Sequence, residues 1–525
     1  MFAKLLTKFE CRSTAYAAMS VAVIVFFGPT LFYGPISLDD GKHIFANTYY
    51  LPPTWLSLVE IWTKPYFDLY IPVMYSAWHL ISSASIALFG NLDPLAFHLT
   101  NIVFHLVNTF LVFELVILIS GVKRSYALLA AMVFCIHPMQ VEPVVWIAAL
   151  KDVLSSFFFL AALYLCLSLS SAERRCKIRY LLALALYVLA ILSKPNTVML
   201  PLLGAAIAIF IKNQTPKDAL KTYLPFVFMA LPIVWITQNL QTPVQVSHAV
   251  PLWGRPFIAF DTLAFYLGKF IWPWPLVLDY GRTPESVFKP LLMIWPFVLA
   301  AAGFLIHKRR SIAFVIRYGL LLAIVLSPFL GIIAFLFQTN STVSDRYFYL
   351  PMFIMAVFLG QIAAQRRWQL VGVFLLFLAP LTFHQVRKWH EPDGIFLHTY
   401  KHNPASWLSI MNLAFTYMEH RDFGRAEKYY KIATQKHPHV KRIWLGLGIS
   451  QIKSNNPAGY EAVQKFLDLN ANSFEARYMV GTNFLNYELY EQAFFVTRSL
   501  LEEAPTLPQL LKMKEQLSAR GYSFP

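Results

Sequence analysis

From the amino terminus to about residue 386 the chain is a succession of apolar runs long enough to cross a bilayer, divided by short polar loops. Lipid offers no partner to backbone N–H and C=O groups, so each run must bond within itself as a helix. The composition agrees: 57% of residues are hydrophobic and 14% charged, against roughly a quarter charged in soluble proteins. A disordered scaffold, a collagen-like rod and a disulfide-stapled secreted domain are excluded. The four cysteines, Cys11, Cys135, Cys166 and Cys176, show neither CxxC nor zinc spacing.

Spans are expected at 14–35, 95–119, 124–140, 144–170, 178–193, 197–211, 222–240, 290–307, 312–337, 348–364 and 369–385, about eleven in all. Basic residues test this register, because they collect on cytoplasmic loops. Lys4, Lys8 and Arg12 precede the first span, Lys123 and Arg124 follow the second, and Arg174, Arg175, Lys177 and Arg179 follow the fourth. Then come Lys212, Lys217 and Lys221, the cluster Lys308, Arg309 and Arg310, and Arg366 with Arg367. All fall on one side, so the net charge of +16 records topology and needs no nucleic acid. For this parity the apolar stretches 71–88 and 257–278 must lie along the opposite surface as interfacial or re-entrant helices. Trp272 and Trp274, beside Pro273 and Pro275, suit the headgroup level. Arg387 and Lys388 go against the scheme. The register makes a multi-pass bacterial inner-membrane protein with a cytoplasmic amino terminus, an uncleaved first span and an extracytoplasmic carboxy-terminal domain.

That domain, residues 389–525, is polar and repeats with a period of about 34, the mark of tetratricopeptide helix pairs. Leu413, Ala414, Tyr417, Ala426, Tyr430, Ala433 and Pro438 define a first repeat over 407–440. Leu447, Gly448, Ala462, Phe466 and Leu469 define a second over 441–473, and Val480, Gly481, Phe484, Ala493, Thr497, Leu500 and Pro505 a third over 474–507, with a capping helix at 508–518. The fold class is thus all-α, a polytopic domain over 1–388 followed by an α-solenoid. Such a domain either stabilises the membrane part or grips a polypeptide.

No phosphate-binding loop, dinucleotide fingerprint or zinc-protease motif is present. Ionisable residues instead gather at the ends of spans, where charge is costly and usually functional. Asp39 and Asp40 follow the first span; such a pair serves as general base or cation ligand, or caps a helix. His137 and Glu142 sit in a Pro-bounded turn, Lys151 and Asp152 just beyond it, Lys194 before Pro195, and Arg346 in Ser344-Asp345-Arg346-Tyr347. Several cations converging near Asp39 make an anion site; singly, each can snorkel to the interface.

Taken in order, these segments resemble a known family. They are Leu38-Asp39-Asp40; Asn91-Leu92-Asp93-Pro94 through Asn101; His137-Pro138 through Glu142; Lys151-Asp152-Val153-Leu154; Leu192-Ser193-Lys194-Pro195; Tyr266-Leu267-Gly268-Lys269; and Asp345-Arg346-Tyr347 through Pro351, followed by the repeats. The chain resembles bacterial relatives of the transmembrane and tetratricopeptide-repeat-containing O-mannosyltransferases, GT-C glycosyltransferases of the protein O-mannosyltransferase clan. The resemblance implies a monosaccharide donor on polyprenyl phosphate, an extracytoplasmic protein acceptor held by the repeats, and inverting transfer. It makes Asp39 and Asp40 catalytic, Lys151, Lys194 and Arg346 the ligands of the donor phosphate, and Glu142, His137 and Asp152 accessory polar groups. The clan has metal-dependent and metal-independent branches, so a divalent cation (Mg or Mn) is open; Asp39, Asp40 and Glu142 are its ligands if one is held. One departure is Tyr66-Phe67-Asp68-Leu69-Tyr70-Ile71-Pro72, where relatives more often carry Arg or Asn beside Pro-Leu-Thr. Two alternatives stand beside this reading: transfer to a lipid or cell-surface glycan, and a non-enzymatic membrane anchor for the repeat domain.

Overall fold

The computed structural model describes residues 10–67, 69–169, 177–240, 250–288, 311–332 and 336–524. All regular elements among them are helical, and the chain divides into two compact units, Met1–Asn403 and Pro404–Pro525.

In the first unit, five helices among the described residues are long and apolar enough to cross a membrane: Arg12–Phe32, Pro94–Ser120, Ile147–Ser168, Pro216–Leu240 and Met352–Arg387. The last is interrupted where Gln365 and Arg366 leave helical geometry, Arg366 at φ +63°, between the two spans expected there. Arg124–Ile136 and Pro138–Val145 make a sixth if counted as one, bent by 52°. Ile178–Ser193, Pro195–Phe210 and Ala313–Phe329 are shorter apolar helices. The expected span 290–307 with its cluster Lys308, Arg309 and Arg310, and also Lys4, Lys8, Asp68, Arg174, Arg175 and Cys176, lie outside the described residues. The stretches 71–88 and 257–278 form the helices Pro72–Phe89 and Arg255–Ile271, and neither is among the helices long and apolar enough to cross.

The Pro94–Ser120 helix organises the unit. Asp93 caps it by accepting from Leu95 N at 2.9 Å, Pro94 supplies a preset φ, and Gly121 ends it at φ +66°, which a side chain disfavours. One face carries buried Asn101, His105 and Asn108, i, i+4 and i+7 on a helix. They bond carbonyls on both sides of the break at Ile136 and within it. Asn101 donates to Val144 O and Trp146 O at 3.1 and 3.0 Å, Asn108 to Val153 O at 2.8 Å, and His105 Nε2 lies 3.0 Å from Cys135 O. Non-helical backbone next to a membrane needs such partners, since an unpaired carbonyl there costs several kcal/mol.

The second unit is a run of helices: Trp407–Glu419, Phe423–Lys436, Lys441–Lys453, Ala458–Leu469, Phe474–Asn486, Tyr490–Glu503 and Pro508–Ser518. Ser406, Asp422 and Ser473 cap three of them through their side chains. Leu413, Ala414, Tyr417, Ala426, Tyr430 and Ala433 are buried between the first two. A Cβ on Gly448 would come within 2.5 Å of Val463 and 2.8 Å of Gly459 O, so the second pair needs glycine there. Leu510 and Met513 of the last helix close the array against Leu500.

Candidate functional site

Asp39 and Asp40 begin a helical turn just beyond the first span, and the fold separates them. Asp40 is 1% exposed. Its Oδ2 accepts from Ile36 N at 3.0 Å and its Oδ1 from Ala148 N at 2.9 Å, so it pins the turn to the broken segment before the Leu150–Ser168 helix. Burial pushes its carboxyl up to about 7 against the pull of those two N–H groups. The side chain of Asp39 keeps 37% of its surface exposed and faces Lys151 Nζ at 3.4 Å. Burial works to raise its pKa, but Lys151, His43 and Arg346 outweigh it and hold the carboxyl below the usual range. One aspartate is a buried clasp; the other is an ionised, accessible carboxylate.

Lys151 and Asp152 are neighbours on one helix and cannot face each other. Lys151 turns to Asp39, whereas buried Asp152 takes Lys194. Arg346 donates from Nη1 to Glu142 Oε1 and Ser344 Oγ, both at 2.6 Å. The six residues therefore pair as three cations with three carboxylates. Aromatic rings interleave them: Trp146 lies 5.6 Å from Lys151 Nζ and 5.4 Å from the Arg346 guanidinium, and Tyr347 lies 5.0 Å from Arg346 and 5.8 Å from Lys194. Sharing these rings sets Lys151, Arg346 and Lys194 in one row.

The turn bearing Arg346 is held from outside the row. Tyr266 O–H donates to Ser344 O at 3.0 Å and accepts from Ser344 N at 3.1 Å, and Tyr280 O–H donates to Asp345 Oδ1 at 2.7 Å. This is the structural content of the Tyr266-Leu267-Gly268-Lys269 segment. His137 does not join the row. Its Nδ1 accepts from Met139 N at 3.2 Å, its Nε2 lies 3.0 Å from Phe270 O, and its ring stacks on Phe270, leaving neither nitrogen for an acceptor. Nor do Asp39, Asp40 and Glu142 make a cation cradle: Asp40 is spent on backbone N–H groups and Glu142 on Arg346. Among the described residues no group of three or more His, Cys, Asp or Glu side chains is arranged to hold a metal ion. Asp39, Asp40 and Glu142 thus do not fit a resident divalent cation among the described residues.

Two site members escaped the sequence reading. His43, 5% exposed, sits four residues after Asp39, one helical turn on, with Nδ1 3.0 Å from Tyr75 O–H and Tyr66, Phe67, Tyr75 and Trp78 around its ring. Its i+4 spacing was the available signal. Trp146 had none, since a tryptophan in an apolar run reads as core.

Over 461 residues, 78% of the chain, the sequence is 23% identical to the human (Homo sapiens) protein O-mannosyl-transferase TMTC3, and 22% identical over 460 residues to its mouse (Mus musculus) counterpart. The chain is thus similar in sequence to protein O-mannosyl-transferases. It spans about half the length of these curated relatives, 50% in each case, and no family model matches it. Among solved structures it is similar to ArnT from Cupriavidus metallidurans bound to undecaprenyl phosphate, with 13% identity over 87% of this chain and 75% of that one and a TM-score of 0.37. With five helices among its described residues long and apolar enough to cross a membrane, the chain is a multi-pass membrane protein.

Proposed function

We propose that the chain is a membrane glycosyltransferase that moves a monosaccharide from a polyprenyl-phosphate carrier to Ser or Thr hydroxyls of an extracytoplasmic protein. One observation carries the reading: Asp39, accessible and held ionised, stands at the head of the row Lys151, Arg346 and Lys194. Asp39 takes the acceptor's hydroxyl proton as that oxygen attacks the anomeric carbon. The bond from that carbon to the phosphate oxygen breaks, and the configuration inverts. The lipid phosphate leaves as an anion toward the row. Arg346 can receive it because a guanidinium carries five N–H donors, more than its bonds to Glu142, Ser344 and Tyr347 use. In this reading Asp40, Glu142 and Asp152 position the turn and the cations rather than react. The site lies on the extracytoplasmic side, with the amino terminus cytoplasmic, as the loop charges require. Residues 404–525 act as a tetratricopeptide-type surface that presents the protein acceptor.

Intact-mass comparison of extracytoplasmic proteins from cells with and without the chain is the test. A difference of whole sugar units on a protein supports the reading, and its absence, with a lipid or surface glycan modified instead, replaces the acceptor. Deleting residues 404–525 is expected to abolish protein modification while leaving the membrane unit folded, as checked by size-exclusion chromatography. Undiminished protein modification would remove the assigned role of the second unit.

The depressed pKa of Asp39 also sets a pH dependence. Its folded value lies below its ordinary one, so the base stays ionised as pH falls through the ordinary carboxylate range, and activity drops only below it. The acid limb of the transfer rate is expected below the ordinary Asp value, and Lys151→Met is expected to move it upward. A limb that does not move would remove Lys151 from that role.

A further inference from the structure

Arg387 and Lys388 close the last span on the side where loop charges call for few cations, and the fold shows where Lys388 goes. Its Nζ lies 4.2 Å from the centre of the Trp274 ring and 3.0 Å from both Gln385 Oε1 and His398 Nε2. An ammonium only donates, so Nε2 of His398 accepts and its proton sits on Nδ1. Three histidines surround the same indole, His384 at 5.3 Å, His398 at 5.7 Å and His402 at 6.2 Å, with His398 and His402 4.4 Å apart. The Nδ1 of His402 is 2.9 Å from His398 O, which directs its proton there and leaves Nε2 open. Arg387 adds positive charge beside His384.

Lys151, Lys194 and Arg346 each have a carboxylate within ion-pair distance. Among the described residues none is so placed for Lys388, His384, His398 or His402. Asp345, whose charge reaches Lys388, accepts from Tyr280, and Glu391 faces His390. The rim is apolar and exposed: Ile271 at 67%, Trp272 at 60%, Phe383 at 41% and Leu397 at 37%. Tryptophans beside cations on an apolar rim suit the headgroup level of a membrane.

We propose that Trp274, His384, Lys388, His398 and His402 form a site for a phosphate group, bound together with protons. This inference is independent of the glycosyl-transfer reading. With neutral histidines the cluster presents one ammonium and several nitrogen lone pairs, and it satisfies itself by using His398 as acceptor for Lys388. A phosphate oxygen replaces His398 as that acceptor. The freed Nε2 of His398 then takes a proton and donates to the anion. Burial, then the charges of Lys388, His402 and His384, hold His398 at about 3 without the anion. An anion among them reverses the electrostatic part of that shift. Since the bound state binds more protons, affinity rises as pH falls and is lost as pH rises through the bound-state values. A lipid headgroup and free phosphate share this chemistry.

The test is native mass spectrometry of the full chain in neutral detergent with short-chain phosphatidylglycerol, using diacylglycerol as the phosphate-free control, together with thermal unfolding in inorganic phosphate or in chloride of equal ionic strength. Phosphatidylglycerol adducts are expected to be about tenfold more abundant near pH 6 than near pH 8. Lys388→Gln and His402→Gln are expected to remove that excess, and Lys388→Arg to keep it. Adducts that inorganic phosphate does not displace assign the site to a lipid headgroup. Displacement, with phosphate-specific protection near pH 6, assigns it to the free anion. Adducts equal at both pH values, or unchanged by exposed His402→Gln in a monodisperse protein, would overturn the proposal, as would no response to either probe.

Discussion

Asp39→Asn is expected to lower glycosyl transfer by about 10²- to 10⁴-fold, the range lost when a positioned general base is removed, while leaving the protein's unfolding temperature close to that of the wild type. Asp39 is partly exposed, and its ion pair with Lys151 is long at 3.4 Å, so the amide disturbs little. Asp40→Asn should behave in the opposite way. An amide offers one acceptor oxygen where the carboxylate uses two, for Ile36 N and Ala148 N, and stranding a buried N–H costs about 1–3 kcal/mol. Its mark is therefore lost stability, with transfer per folded molecule much less affected. Transfer assays on purified protein beside thermal unfolding separate the two. An Asp39→Asn protein that transfers at the wild-type rate would sink the assignment.

The second large effect concerns the Arg346–Glu142 pair, whose side chains are 10% and 3% exposed. Glu142→Ala leaves the guanidinium uncompensated and is expected to destabilise the membrane unit by about 3–5 kcal/mol. The double substitution Glu142→Gln with Arg346→Met removes both charges and should recover most of that loss, as uncharged replacements of buried pairs do. It should not recover transfer, because the cation proposed to receive the leaving phosphate is gone. Recovery of both would make the pair purely structural. Limited proteolysis or thermal unfolding reads the first half, and a transfer assay the second.

How much of this was legible beforehand differs by kind of feature. Helices of the first unit could be read because lipid imposes one solution on an apolar run, and the expected spans meet helices wherever the chain is described. Their ends could not. Residues 124–140 read as one span, yet the helix stops at Ile136, because Pro138 cannot continue it and His105 and Thr382, from other helices, serve the carbonyls of Cys135 and Ile136. The second unit's small residues, Gly448 among them, could be picked out because close helix approach admits few side chains.

For the site, the sequence by itself determined the inventory: a carboxylate pair after the first span and cations at the ends of later ones, where burying charge is too costly to be incidental. It carried no information on partners. Adjacent residues share nearly every sequence-level property, so Asp39 and Asp40, or Lys151 and Asp152, could not be told apart. Successive side chains on a helical turn point about 100° apart, and only the packing of the Leu150–Ser168 helix against the first loop decides which faces inward. Thus Asp40 meets Ala148 N and becomes a clasp, while Asp39 stays accessible beside Lys151. The same long-range packing brings Glu142 to Arg346 across 204 residues of chain and Asp152 to Lys194 across 42, and it lifts Lys388 out of the topological count onto Trp274. Periodicity and composition are local properties and pairing is not, which is why the membrane architecture could be read from the residues and the electrostatics of the site required the fold.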